Sequence, residues 1–316
     1  MFQSSPLPDG PGITDLDVVT VRDQTWVVCA TFDGKAWLWD PSSDRWTHPS
    51  LPPAYEDYPD AEPDLFYVAA GVHRGRMILA GGSEHHGLAA WDLDNGAVLR
   101  TSSLDEDDRA LWSVTSFEVD GQLWFACGGD YNWQVSLWGP SGGELMELDN
   151  SDRDAILSLV GGQLDHRTVL AAGGFDAMVA LWDLPSRERI ATFSHVEGIG
   201  VRGLALTSLG RRPVVVGGDD RGDLYVWDAD GSLVTILNCH DVGIMSVDAT
   251  VADGRTTAVT AAEDGTVRTW DLAEGRQCDE VLVSGKAQVL ITRFGGRQVA
   301  VAGDRGEGII RCWYLS

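Results

Sequence analysis

Seven histidines, five cysteines and a large excess of carboxylates are the groups in this sequence that could do chemistry. The histidines are His48, His73, His85, His86, His166, His195 and His240. None forms an HExxH pair or a comparable spacing of metal ligands. His85 and His86 are adjacent and could join a metal site, but spacing supplies no further ligand and a polar turn accounts for both. The cysteines, Cys29, Cys127, Cys239, Cys278 and Cys312, form no CxxC. Most lie in apolar runs, where cysteine packs as a small hydrophobe. Reduced thiols in a cytoplasm fit this pattern better than a disulfide framework. Carboxylates cluster at Asp105-Glu106-Asp107-Asp108, between Asp149 and Asp154, and at Asp219-Asp220 with Asp223. No cluster keeps the alternating oxygen ligands, the glycine and the terminal glutamate of an EF-hand loop. Two carboxylates could cleave a glycoside, yet nothing singles out a pair. GxSxG, P-loop and convincing GxGxxG motifs are absent. The sequence therefore assigns no catalytic residue, no metal ligand and no cofactor.

The charge balance narrows the partners. Acidic residues number 48 against 23 basic ones, a net charge of −25. Nucleic acid and anionic membrane surfaces both require clustered Lys and Arg. A basic protein or peptide fits the field better, although the same charge also keeps a protein soluble. The start, MFQSSPLPDGPG, has neither a basic nor an apolar signal region. No apolar run approaches the ~18 residues that cross a bilayer. A soluble, cytoplasmic protein, monomeric on its own, is expected. Asp outnumbers Glu by 35 to 13 and Arg outnumbers Lys by 21 to 2. That skew fits GC-rich bacterial coding or adaptation to salt.

The elements that must position these groups are marked by tryptophan. Trp39, Trp91, Trp138, Trp182, Trp227, Trp270 and Trp313 follow one another at steps of 52, 47, 44, 45, 43 and 43 residues. Five precede an aspartate: Asp40, Asp92, Asp183, Asp228 and Asp271. A period of ~40–45 residues ending in Trp-Asp marks one four-stranded blade of a β-propeller. Seven units consume residues 1–316, so one all-β, seven-bladed ring of antiparallel blades is expected. No single blade could bury its own faces; stacked neighbours do so jointly. Blade six is clearest, with strands over 244–251, 256–262, 266–272 and 278–284. Asp264-Gly265 gives the hairpin signal between its second and third strands.

With these residues the sequence resembles the WD-repeat (WD40-type) propeller family over essentially its whole length. The resemblance implies a buried hydrogen-bonded chain in each complete blade: a His before the inner strand, a Ser or Thr in the second, an Asp in the next turn, and the Trp. Blade six alone supplies all four, as His240, Thr260, Asp264 and Trp270. Blade five has His195, Asp219 or Asp220, and Trp227, but Gly217-Gly218 stand where the hydroxyl belongs. Blades three and seven read Trp138-Gly139 and Trp313-Tyr314. The repeats are degenerate.

Trp313 closes a third strand, so blade seven lacks an outer one. Residues 2–8 are expected to supply it as a short strand, because Pro6 and Pro8 weaken it, and to remove an open sheet edge. The first two tryptophan steps are long, and the extra residues lie mostly in an acidic, proline-rich stretch over 48–66, between blades one and two. It is read either as a solvated loop or as a binding loop.

In a propeller, the loops before the inner strands share one face with the turns between second and third strands. Aligning the units puts Thr14, Phe66, Trp112, Leu157, Arg202, Met245 and Val289 at the central entrance. The turns add Tyr131, Trp133 and Phe175. Acidic residues surround them: Glu56, Asp57, Asp60, Glu62 and Asp64 before Phe66, and Asp105 to Asp108 before Trp112, with Asp107 and Asp108 nearest. An apolar centre with an acidic rim suits a basic, amphipathic peptide; alternatively, these side chains plug the core. The favoured reading is a non-catalytic protein-interaction scaffold. Its rival is a hydrolase or lyase whose site at the central opening takes a small, cationic substrate.

Overall fold

In a computed structural model, residues 3–54, 63–83, 87–101, 111–129, 135–141, 146–148, 155–194 and 199–315 are described. The chain is all-β, with seven four-stranded antiparallel sheets as the blades of a β-propeller. No helix occurs among the described residues. The chain divides into two compact units. One spans Ile13–Ile156 and carries blades one to three; the other joins Met1–Gly12 to Leu157–Ser316 and carries blades four to seven. In blade six the strands are Ile244–Ala252, Arg255–Ala262, Thr266–Asp271 and Arg276–Leu282. The outer strand starts two residues before the sequence reading.

Blade seven takes its outer strand from the other end of the chain. Gln3–Pro6 pairs antiparallel with Ile309–Tyr314, from Gln3 opposite Cys312 to Pro6 opposite Ile309. The strand stops at Pro6, as the prolines required. Leu7 then donates its N–H to the Gly308 carbonyl at 2.8 Å and is itself buried.

All seven repeat tryptophans are buried, but their indole N–H groups find different acceptors. Trp39 donates to Asp44 Oδ1, Trp91 to the Pro52 carbonyl, Trp270 to Thr260 Oγ1 and Trp313 to Thr269 Oγ1. Blade five shows how a blade manages without the hydroxyl. A side chain at Gly217 would meet the Trp227 ring at 2.7 Å. The bare glycine lets that ring lie against the strand, where it stacks with Phe193 and with Tyr225 at 5.7 and 5.4 Å. Ring stacking thus packs the tryptophan where the second strand offers no hydroxyl.

The aspartates after the tryptophans close the turns to the outer strands. Asp40 accepts from Ser42 and Ser43, Asp183 from Ser186, and Asp271 from the N–H groups of Ala273 and Glu274. These bonds favour the carboxylate form and hold Asp40 and Asp183 below the usual range despite the opposing effect of burial.

Inner strands have no partner on their open edge, so side chains of a neighbouring blade serve it. Asp15 and Asp17 accept from the Val68 and Ala70 N–H groups at 3.0 and 2.7 Å. Ser246 and Asp248 do the same for Val289 and Ile291, at 3.1 and 2.6 Å. Blade five has Gly203 at the position of Ser246, and a side chain there would meet the Val247 nitrogen at 2.6 Å.

Candidate functional site

The hydrogen-bonded chain of blade six is built as follows. Trp270 Nε1 donates to Thr260 Oγ1 at 3.0 Å, and Thr260 lies 2.7 Å from His240 Nε2. His240 Nδ1 lies 3.0 Å from Thr266 Oγ1, which donates to Asp264 Oδ1 at 2.6 Å. The donor order makes Nε2 the acceptor and Nδ1 the protonated atom of a neutral imidazole. Asp264 thus reaches His240 only through Thr266, whereas the sequence reading had four residues and no intermediary. Burial, aided by the Arg268 guanidinium, pushes His240 down to about 4.

Asp248 moves the other way. Its carboxyl is enclosed although the residue as a whole is half-buried, and burial raises it to about 6 against the lowering effect of the Ile291 and Ala249 N–H groups. The two shifts oppose each other in stability. Unfolding lets His240 take up a proton between about pH 6.5 and 4, so its contribution is lost as pH falls through that window. Folded Asp248 takes up its proton before the unfolded form does, so its burial cost is relieved between about pH 6 and 4. Wild-type stability should be nearly flat there. His240→Gln should become more stable on acidification from pH 6 to 4, and Asp248→Asn less stable, by ~1 kcal/mol per pH unit at most. Urea titrations across this range check both slopes, and parallel slopes in the two variants would refute the assignment.

The entrance residues arise from a repeated irregularity. Pairing of inner and second strands skips one residue at Ile13/Asp15, Leu111/Ser113, Val201/Gly203 and Ile244/Ser246. The skipped residues are Thr14, Trp112, Arg202 and Met245. A bulge re-aims its extra side chain out of the ladder, which explains how the spacing picked these positions. Trp112, Arg202 and Met245 are half-buried, as are Phe66 and Leu157. Two placements need correction. Thr14 is 0% exposed and belongs to no open rim. Blade seven has no bulge: Ala287, Gln288 and Val289 pair in unbroken register with Asp304, Gly303 and Ala302. Val289 therefore stays in the ladder and is buried, at 7%.

In blades five, six and seven, the turn between second and third strands is tied to the loop before the same blade's inner strand. Asp220 donates its N–H to the Gly200 carbonyl, Glu263 to Gly243, and Arg305 to Lys286. At Gly200 this gathers a cluster. A side chain there would meet Asp220 Oδ2 at 2.8 Å, Leu157 Cδ1 at 3.0 Å and Phe175 Cδ1 at 3.5 Å. Arg202 bonds Asp220 through Nε and lays its guanidinium 5.7 Å from the centre of the Phe175 ring. Phe175 keeps 37% of its surface exposed. In the blade-six turn, Glu263 pairs with Lys286 at 2.7 Å.

In the Ile13–Ile156 unit, Phe32 occupies the blade-one turn and is 53% exposed. Its ring meets Phe66 edge-on at 5.3 Å, and Phe66 meets Tyr67 at 5.9 Å. The sequence reading missed Phe32, although Phe32-Asp33-Gly34 parallels Phe175-Asp176-Ala177. Tyr131, Trp133, Asp107, Asp108, His85, His86 and His195 lie outside the described residues. So does the acidic rim, apart from Asp64. Among the described residues, no group of three or more His, Cys, Asp or Glu is placed to hold a metal ion.

Comparison with known proteins gives three likenesses. The WD domain, G-beta repeat family matches residues 231–271, which run from the outer strand of blade five to the third strand of blade six. Mitochondrial division protein 1 of Kluyveromyces lactis is 25% identical over 207 residues, 55% of this chain and 28% of that protein. Autophagy-related protein 16 of Arabidopsis thaliana is 27% identical over 145 residues, 46% of this chain and 27% of that protein. The matched segment is under a third of either relative's length.

Proposed function

Because the chain is a WD-repeat, seven-bladed β-propeller, we propose that it is a non-catalytic protein-interaction scaffold. It docks a basic or amphipathic segment through the residues at its inner-strand entrances and turns, Phe66 and Trp112 in the Ile13–Ile156 unit and Leu157, Phe175, Arg202 and Met245 in the Leu157–Ser316 unit. It acts as a monomer in a reducing cytoplasm, and nucleic acid and membrane are not its partners. The observation that carries the reading is the cluster at Gly200. There an exposed aromatic ring lies beside the half-buried Leu157, and Arg202, the cation over the ring, is already paired with Asp220. Such a surface offers an apolar anchor without repelling a basic partner. Likeness of about half the chain to a mitochondrial division protein and an autophagy-related protein is compatible with this reading.

Affinity capture with the full chain tests the proposal. A protein retained by the wild type should be lost with Phe175→Ala and with Trp112→Ala, each costing roughly 2 kcal/mol or about 30-fold in affinity if it is an anchor. Phe175 is exposed enough that its variant should melt close to the wild type. If Trp112 instead plugs the core, Trp112→Ala loses ~3–5 kcal/mol of stability. Undiminished capture by both folded variants would end the proposal for this face.

A further inference from the structure

The same turn is used twice with different occupants. Phe32-Asp33-Gly34 and Phe175-Asp176-Ala177 each follow a second strand, and each third residue has positive φ, 76° at Gly34 and 64° at Ala177. Both phenyl rings are exposed, at 53% and 37%. Beside Phe175 the next blade contributes Arg202, whose guanidinium lies over the ring and bonds the Asp220 carboxylate. An aromatic face plus a carboxylate is thus filled internally by a guanidinium. Beside Phe32 the next blade contributes Phe66 instead. The carboxylate is present there too: a side chain at Gly34 would meet Asp64 Oδ1 at 2.8 Å, so Asp64 lies tight against the turn that carries Phe32. Asp64 has no hydrogen bond or ion pair among the described residues. The local cation, Lys35, is engaged by Asp33 at 2.8 Å.

We infer that Phe32, Phe66 and Asp64 form a seat for an arginine side chain of a protein partner, which supplies the guanidinium that the turn at Phe175 receives from its own chain. The inference rests on the scaffold reading and names the side chain that this part of the face takes. A guanidinium lies flat on an aromatic ring while its edge donates to a carboxylate, and this turn brings an exposed Phe32 and the half-buried Asp64 together. The net charge of −25 draws such a partner in.

The full chain labelled with 4-fluorophenylalanine provides the test. It contains eight phenylalanines, so the fluorine spectrum is simple enough to assign by single substitutions such as Phe32→Leu. Acetyl-arginine amide should move the Phe32 and Phe66 signals saturably and leave Phe175, already covered by Arg202, in place. Asp64→Asn should weaken that titration about five-fold, the scale of one exposed ion pair or cation–π contact. Acetyl-citrulline amide, with the same shape and no charge, should move neither signal. Equal shifts with citrulline, or an Asp64→Asn titration identical to wild type, would overturn the seat. The two readings separate in the capture experiment. A partner lost with Phe175→Ala but kept by Phe32→Leu overturns the seat and leaves the scaffold standing. If Phe175→Ala and Trp112→Ala both retain the partner, the scaffold reading of that face falls, while the arginine titration still decides the seat.

Discussion

Removing residues 1–10 should lower the melting temperature by roughly 10 °C. The deletion takes away the whole outer strand of blade seven, Gln3–Pro6, and with it the ladder to Ile309–Tyr314. It also removes the Leu7 N–H bond to Gly308 and the burial of Leu7. Fully burying a leucine is worth about 1.5–3 kcal/mol, and each net ladder bond about 1 kcal/mol. A loss of about 5 kcal/mol, at roughly 2 °C per kcal/mol in a domain of this size, gives the expected shift. Ile310 and Cys312, both 0% exposed in the intact protein, would be left on an uncovered strand. An uncovered edge invites pairing with another chain, so the truncated protein should also elute as concentration-dependent oligomers. Scanning calorimetry beside size-exclusion chromatography reads both. An unchanged melting temperature would mean that the strand contributes nothing to the blade.

What could be read in advance and what could not follow from the range of the forces involved. The tryptophan period reports burial, which each blade must repeat, so seven sheets and the missing outer strand were legible. The entrance residues were legible up to the bulge, because four inner strands carry the extra residue at the same place. Blade seven lacks it, and a one-residue slip turns a side chain to the other side of its strand. Val289 was misplaced for that reason. Thr14 occupies the right position yet is buried, since exposure depends on neighbours that no spacing reveals. Phe32 went unread because a phenylalanine near a strand end looks like core; only its likeness to Phe175 signalled a turn. The pairing of Arg202 with Asp220 and Phe175 joins residues from two blades, and no local pattern encodes it. The relay through Thr266 was equally hidden, because a threonine two residues after Asp264 looks like an ordinary strand residue.

Gly222→Ala should be among the most damaging single substitutions, because it combines two costs at one atom. Gly222 has φ of +91°, where a side chain is strained by about 1 kcal/mol or more. Its carbonyl accepts the N–H groups of both Cys239 and His240, at 3.0 Å each. An added methyl would sit 2.2 Å from the His240 carbonyl oxygen and 2.6 Å from that of Val242. Those are backbone atoms, so the loop before the inner strand of blade six must move. That loop carries His240, and its displacement would break the relay from Trp270 to Asp264. Overpacking of this kind costs about 1–3 kcal/mol beyond the strain. Gly75 isolates the first cost: its φ is +73° and nothing lies within 4 Å of an added methyl. Gly75→Ala should therefore lose only about 1 kcal/mol in urea, and Gly222→Ala about 3 kcal/mol. The Gly222 variant should also shift His240 toward its ordinary titration range, as read by NMR of the imidazole, while the Gly75 variant should not. If the two variants lost equal stability, the collision with the His240 loop would be excluded and only the backbone strain would stand.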